Sequence, residues 1–372
     1  MSLIYVSPVP WDSFSQRPHK FVQWFHQHTG DTVCWIDPYP TRLPDLGDIR
    51  RVFRELSTPT PNTALGHPSW LTLVPSSGLP IEPIPGSGWI NKAFWKRTFQ
   101  TVDEINQSSN TFLAIGKPSL LACMLVDRFS SLLSIYDAMD DFPAFYSGWS
   151  QHSLKRSELT IVKRVNKLWV SSSELKRKWE RDRADLCLVP NALDTALLPH
   201  LHLPTRRTST RVFGYVGTIG SWFDWDWIIA LAQAMPDDEI RLIGPIFIKP
   251  EVSLPDNIKL LPACDHSSAL EAMLDFDVGL IPFKLNSLTK SVDPIKYYEY
   301  RALALPIIST CFGEMRFRSN ECGVFLSHTL ADISVLTASA LRYKRDALSA
   351  QRFACENSWD SRFNQAGLFS SA

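Results

Sequence analysis

Residues 277–309 read DVGLIPFKLNSLTKSVDPIKYYEYRALALPIIS. Positions 278–282 are a short apolar run and predict a strand. Positions 284–292 turn polar, a helix is predicted from Pro294, and 306–309 returns to β-branched residues. Strand, loop, helix and strand in so short a stretch is the pattern of a parallel sheet covered by helices. Asp293 suits the N-cap of the helix and Pro294 its first position. The loop then brings backbone N–H groups and a positive helix end to one spot, which favours an anion. Lys296 and Glu299 lie three apart and share a helix face. Lys296 can neutralise a diphosphate, and Glu299 can accept hydrogen bonds from two adjacent ribose hydroxyls. On spacing alone, a solvated Lys–Glu pair stands equally open.

The same alternation fills both halves of the chain. In the second half, strands are predicted over 212–216, 240–243 and 258–261, with helices over 226–234 and 267–274. In the first half, strands are predicted over 3–6, 32–36, 71–74, 112–115, 132–136, 168–171 and 186–189, with a helix over 19–27. A Pro-rich piece, 38–85, interrupts this and reads as irregular loop. At 198–211, LPHLHLPTRRTSTR shows no period and reads as a linker. The expected architecture is α/β: two facing doubly wound, Rossmann-like domains over 1–200 and 207–345. In such sheets ligands bind beyond the carboxyl ends of the strands.

The bulk numbers agree with an ordinary globular chain. The 372 residues carry 38 Lys+Arg and 38 Asp+Glu, so no global charge recruits nucleic acid. Seven cysteines without CxxC spacing argue for reduced thiols and a cytoplasmic setting rather than a disulfide framework or a zinc site. The N-terminus lacks the basic and long apolar regions of a signal peptide. The apolar stretch 112–126 is broken by Gly116, Lys117 and Pro118, so no membrane-spanning helix is expected. The stretch 155–183 gathers ten cations and reads either as a solvated face or as a face for anionic lipid. Trp89, Phe94 and Trp95 read equally as core or as membrane anchors.

Two turns follow strands of the second half. VGTIGSWFD, 216–224, places Gly217, Thr218 and Gly220 where backbone can approach phosphate. It is not GxGxxG, which speaks against a nicotinamide dehydrogenase. Gly244 lies in a similar turn, LIGP, at 242–245. Asp224 and Asp226 have the DxD spacing of a divalent-cation site, yet they open a helix and read better as its cap. No metal or cofactor is expected.

The segment 277–309 resembles the donor-site helix of the GT-B glycosyltransferases, in the large retaining family of sucrose synthase and bacterial mannosyltransferases. Glu299 and Pro306 have that family's Glu-to-Pro spacing, and Pro-x-Lys-x-x-Glu is similar to its bacterial cell-surface polysaccharide branch. Many relatives carry a second Glu where this chain has Ser291, which puts the usual sugar contacts in question. The turns at 216–224 and 242–245 resemble the same branch, as does VPNALD at 189–194, which reads as a structural exit turn.

The resemblance continues in the first half. SPVPWDSFSQRPHK, 7–20, looks like the loop that meets donor and acceptor, and IYDAMDDFPAF, 135–145, looks familial too. It implies roles for Arg17 and Asp140 in acceptor binding, and for His19, Asp137 and Lys296 in catalysis. The bland reading has Asp140 and Asp141 capping a turn and His19 facing solvent. The donor set implied is Gly217, Thr218, Gly220, Gly244, Ser291, Lys296 and Glu299. The last stretch, 346–372, is expected to cross back to the first domain.

The implied reaction is metal-independent transfer of a hexosyl group, with retention, from a nucleotide diphosphate donor. The implied acceptor is a hydroxyl of a lipid-linked surface glycan, at the inner face of the cell membrane with peripheral contact. Two other readings stay open: a nucleotide-sugar epimerase on the same architecture, and a non-catalytic nucleotide-sugar-binding subunit.

Overall fold

The computed structural model describes residues 2–43, 67–108, 110–201 and 210–369. Part of the Pro-rich piece (44–66) and most of the expected linker (202–209) lie outside the described residues. The chain divides into two compact units: Met1–Ser171 with Leu175–Leu188, and Ser172–Glu174 with Val189–Ala372. The C-terminal stretch 346–369 falls within the second unit.

Among the described residues the first unit has seven strands: β1 (Ser2–Val6), β2 (Val33–Ile36), β3 (Leu71–Val74), β4 (Thr111–Ile115), β5 (Leu133–Ala138), β6 (Lys167–Val170) and β7 (Cys187–Leu188). Their order is β3-β2-β1-β4-β5-β6-β7. All pairs are parallel, with Leu3 opposite both Val33 and Phe112. The direction of growth reverses between β1 and β4, so the sheet is doubly wound. Parallel strands buried on both faces read as continuous apolar runs. That is why TFLAI of β4 is buried at every position. Among the described residues the helices of this half are α1 (Arg17–Thr29), α2 (Ser87–Asn91), α3 (Lys96–Ser108), α4 (Leu120–Arg128), α5 (Gly148–Arg164) and α6 (Ser173–Trp179).

The second unit repeats the plan with β8 (Val212–Val216), β9 (Glu239–Ile243), β10 (Ile258–Leu261), β11 (Val278–Ile281), β12 (Ile307–Thr310) and β13 (Val324–Ser327). The order is β10-β9-β8-β11-β12-β13, again all parallel, with its reversal between β8 and β11. The helices are α7 (Trp225–Ala234), α8 (His266–Leu274), α9 (Ile295–Ala302), α10 (Ile333–Arg342), α11 (Ala347–Glu356) and α12 (Trp359–Gln365). Strand β13 was not expected from the sequence. VFLS is only partly buried and gives four residues of weak signal.

Each unit has its own core. Leu113, Ile115, Tyr136 and Trp95 lie in the first, and Tyr300, Met273, Ile281 and Ile307 in the second. No helix of the described residues is long and apolar enough to cross a membrane.

Candidate functional site

The residues expected at the donor site all lie in the second unit: Gly217, Thr218, Gly220, Gly244 and Ser291 on loops beyond the carboxyl ends of β8, β9 and β11, and Lys296 and Glu299 on helix α9. The loops after β8 and β11 flank the sheet reversal and are tied together. Lys284 N–H donates to the Trp222 carbonyl at 2.7 Å, and Asp224 N–H to the Pro282 carbonyl at 2.8 Å. The glycines of the turns meet backbone to backbone. Gly244 has φ +142°, and a Cβ there would sit 2.2 Å from the Gly217 carbonyl oxygen. Gly217 has φ +152° and donates its N–H to Ile243 at 2.9 Å. Only glycine combines that backbone with that approach. These glycines therefore have a packing reason of their own, independent of any ligand.

Helix α9 starts one residue later than the sequence predicts. Pro294 is its extended flanking residue, at φ −75° and ψ 122°, and receives no side-chain cap. Asp293 does not cap the helix. Its carboxylate accepts from Asn191 N–H at 2.8 Å, from the Tyr298 hydroxyl at 2.8 Å and from Arg318 at 2.7 Å. A buried carboxylate opposite a guanidinium gains more from that pair than from a cap. Arg318 in turn lies over the Tyr297 ring at 3.6 Å. Asn191 also donates its side-chain amide to the Asp293 carbonyl at 2.7 Å, so the VPNALD segment acts as a structural clamp. The loop 284–292 spends much of its own backbone. Asn286 takes the N–H groups of Leu288 and Thr289, and Lys290 and Val292 donate within the loop. It offers fewer open N–H groups than its polar sequence suggests. Ser291 is buried at its end.

Lys296 and Glu299 do share a face. Lys296 Nζ lies 2.5 Å from Glu299 Oε2, and the Glu299 side chain is only 3% exposed. A third residue completes the group. His266, first residue of α8, places Nε2 2.8 Å from Glu299 Oε1. Burial alone would raise the Glu299 pKa, but Lys296 and His266 outweigh it and hold the carboxyl below its ordinary range. Sequence reasoning missed His266. It stands 33 residues from Glu299 in the chain, and only the packing of α8 beside α9 joins them.

In the first unit the expected residues gather at the start of α1 and the end of β5. Arg17 holds Asp137 with two bonds, Nε to Oδ2 at 2.9 Å and Nη2 to Oδ1 at 2.7 Å, and both side chains are buried. The two expected site residues therefore neutralise one another. Asp140 is half-buried beside them. Burial lifts its pKa to about 7, Arg17 opposes this, and the charges of Asp137 and Asp141 add to it. Asp141 gives no side-chain cap to the turn after it; its carboxylate pairs with Lys178 at 2.8 Å. His19 does not face solvent. Its Nδ1 accepts from Gln16 N–H at 3.2 Å, so Nε2 carries the hydrogen toward the Trp11 carbonyl at 3.0 Å. The ring packs against Trp11 and Trp35, and burial lowers its pKa.

Asp224 caps α7, accepting from Trp227 N–H at 3.1 Å. Among the described residues no cluster of three His, Cys, Asp or Glu side chains could hold a metal ion.

The two sheets superpose on sucrose-phosphate synthase from Thermosynechococcus elongatus with a TM-score of 0.70, covering 99% of this chain and 98% of that one at 13% identity. The chain has the GT-B fold of the glycosyltransferases. HepE of Anabaena, solved with UDP-glucose, matches at a TM-score of 0.66 and 12% identity, covering 99% of this chain and 98% of that one. The lipopolysaccharide outer core galactosyltransferase WaaB matches at a TM-score of 0.62 and 11% identity, covering 98% of this chain and 99% of that one. No family model matches the chain. In sequence it is 27% identical over 198 residues to TuaH of Bacillus subtilis (strain 168), a glycosyltransferase assigned to teichuronic acid biosynthesis. That match spans 47% of this chain and about half, 50%, of the relative.

Proposed function

We propose that the protein transfers a sugar from a nucleotide diphosphate donor to a hydroxyl of a lipid-linked surface glycan, with retention and without a metal. The observation that carries this reading is the buried Glu299 carboxylate with Lys296 on it, beside the reversal of a doubly wound GT-B sheet. In this reading Glu299 takes the ribose hydroxyls. Lys296, the first turn of α9 and the Gly217 turn meet the diphosphate, whose negative charge grows as the bond to the sugar carbon breaks. The sugar passes through an oxocarbenium-like state, and a bond to the acceptor oxygen forms.

The acceptor hydroxyl gives up its proton in that step to the departing diphosphate oxygen, which gains the charge. Asp137 is tied to Arg17, and both His19 nitrogens are engaged. Asp140, at a pKa of about 7, is the carboxylate of this group best suited to hold the acceptor hydroxyl. The Arg17–Asp137 pair serves as its fixed support. A likeness to a teichuronic acid glycosyltransferase over half its length supports a surface-glycan acceptor. Neighbours solved with UDP-glucose and UDP support a uridine donor.

Peripheral contact with an anionic bilayer belongs to the same reading, and the structure shifts the surface that supports it. Several cations of 155–183 are neutralised: Arg164 by Asp127, Lys178 by Asp141 and Glu158, Arg183 by Asp185. The segment 83–102 instead has no acidic residue. It exposes Trp89 (84%), Ile90 and Phe94 among Lys92, Lys96 and Arg97, while Trp95 turns into the core. Aromatic and basic side chains together suit the lipid interface.

The test is incubation with labelled UDP-sugars, ADP-glucose and GDP-mannose, together with a lipid-linked acceptor fraction. Labelled lipid supports transfer. An isomerised donor would favour an epimerase, and binding without product a non-catalytic subunit.

A further inference from the structure

The Glu299 carboxylate is gripped from two helices. Lys296 comes from its own helix α9 and sits on Oε2; His266 comes from α8 and sits on Oε1. A carboxylate only accepts, so Nε2 of His266 carries the hydrogen. The position of His266 is fixed from behind. Asp265 caps α8, accepting from Ser268 N–H at 3.0 Å, which makes His266 the first residue of the helix. The two donors differ in freedom. Lys296 is a long side chain, 21% exposed, whose ammonium can swing, whereas the imidazole of His266 reaches Glu299 over a short stem.

Resting on the donor reading above, this arrangement has a consequence for binding. Drawing Nζ toward a diphosphate withdraws positive charge from a carboxylate buried to 3% exposure. A buried carboxylate stripped of its partners is costly. We propose that His266 is a positioning residue for the donor. It keeps Glu299 ionised and oriented while Lys296 is handed to the diphosphate. His266 thereby makes one lysine available to the donor without leaving an unpaired buried charge behind. Lys296 is released already in the ground-state complex, so His266 acts on donor affinity. Lys296, which faces charge that grows as the bond breaks, acts on the transition state.

The experiment compares the full-length wild type with His266→Ala, His266→Gln, His266→Asn and Glu299→Ala. Calorimetry uses UDP against uridine, or ADP against adenosine if the donor panel selects adenine. Transfer kinetics follow with the matching donor. His266→Ala should weaken the nucleoside diphosphate roughly tenfold or more, the scale of a lost hydrogen bond to a charged group. It should weaken the nucleoside less, because a nucleoside does not call on Lys296. Donor KM should rise with kcat at saturation near wild type. His266→Gln, whose amide nitrogen reaches the same oxygen, should restore affinity to within about threefold, and the shorter His266→Asn should not. Thermal melts check folding, and the Gln–Asn contrast carries the test if His266→Ala does not fold. Equal losses for nucleoside and diphosphate, or no rescue by Gln, overturn the inference while Glu299→Ala still weakens binding of both. If Glu299→Ala binds as tightly as wild type, the donor reading itself falls.

Discussion

At the scale of single residues, the proposed reading gives Glu299 the binding of the donor and Lys296 a share of the catalysis. Glu299→Ala should weaken the nucleoside diphosphate by about 1.5–3 kcal/mol, since a charged acceptor of hydrogen bonds is lost. Unchanged affinity in calorimetry with the fold intact would remove the residue from the site. Lys296→Ala should lower kcat more than it raises donor KM, because the diphosphate carries more negative charge in the transition state than in the bound donor. A variant that only raises KM would reduce Lys296 to a holding contact. Glu82 offers a pH test away from the donor. It is buried and accepts from the Tyr39 hydroxyl and from Leu120 N–H at 2.9 Å. Burial pushes its pKa from 4.5 up to about 7. The folded state therefore holds a proton that the unfolded chain has released, and stability falls as pH rises from 4.5 to about 7. Glu82→Gln should flatten that slope in denaturant titrations run at several pH values between these limits. A slope equal to that of wild type would mean the carboxyl is ionised in the fold.

Elements show how local signals were read and where they were outcompeted. Asp224 was legible as a cap because a carboxylate before an apolar helix has few better uses, and it does cap α7. Asp293 carries the same local signal before α9 and does not cap, because Arg318 and Tyr298 reach it from the folded surroundings. Asp224→Ala should therefore cost roughly 1 kcal/mol, a typical cap value. Chelator should leave transfer untouched in both wild type and variant; chelator-sensitive transfer in the wild type would revive the metal reading. The turns after β8 and β9 meet two demands at once. Their glycines were read as making room for phosphate, yet Gly244 must also let the Gly217 carbonyl approach.

On the scale of the whole molecule, the exposed strip of 83–102 predicts reversible binding to a bilayer. The protein should co-sediment with phosphatidylglycerol vesicles and much less with phosphatidylcholine vesicles. Trp89→Ser with Phe94→Ser should reduce this severalfold, and added salt should weaken it through the three cations. No retention on anionic vesicles at low salt would leave the strip without a lipid role. The sequence by itself determined the two α/β halves, since fully buried parallel strands must read as apolar runs and most were placed within a residue or two. It also placed Lys296 and Glu299 on one face, because helical spacing is local. It could not show that His266 meets Glu299, that Arg17 neutralises Asp137, or that Trp95 is core while Trp89 is bare. Each depends on groups far apart in the chain or on which side of a short segment meets its neighbours. Packing alone decides such partnerships, because burial and charge pairing act between surfaces that meet only once the chain has folded.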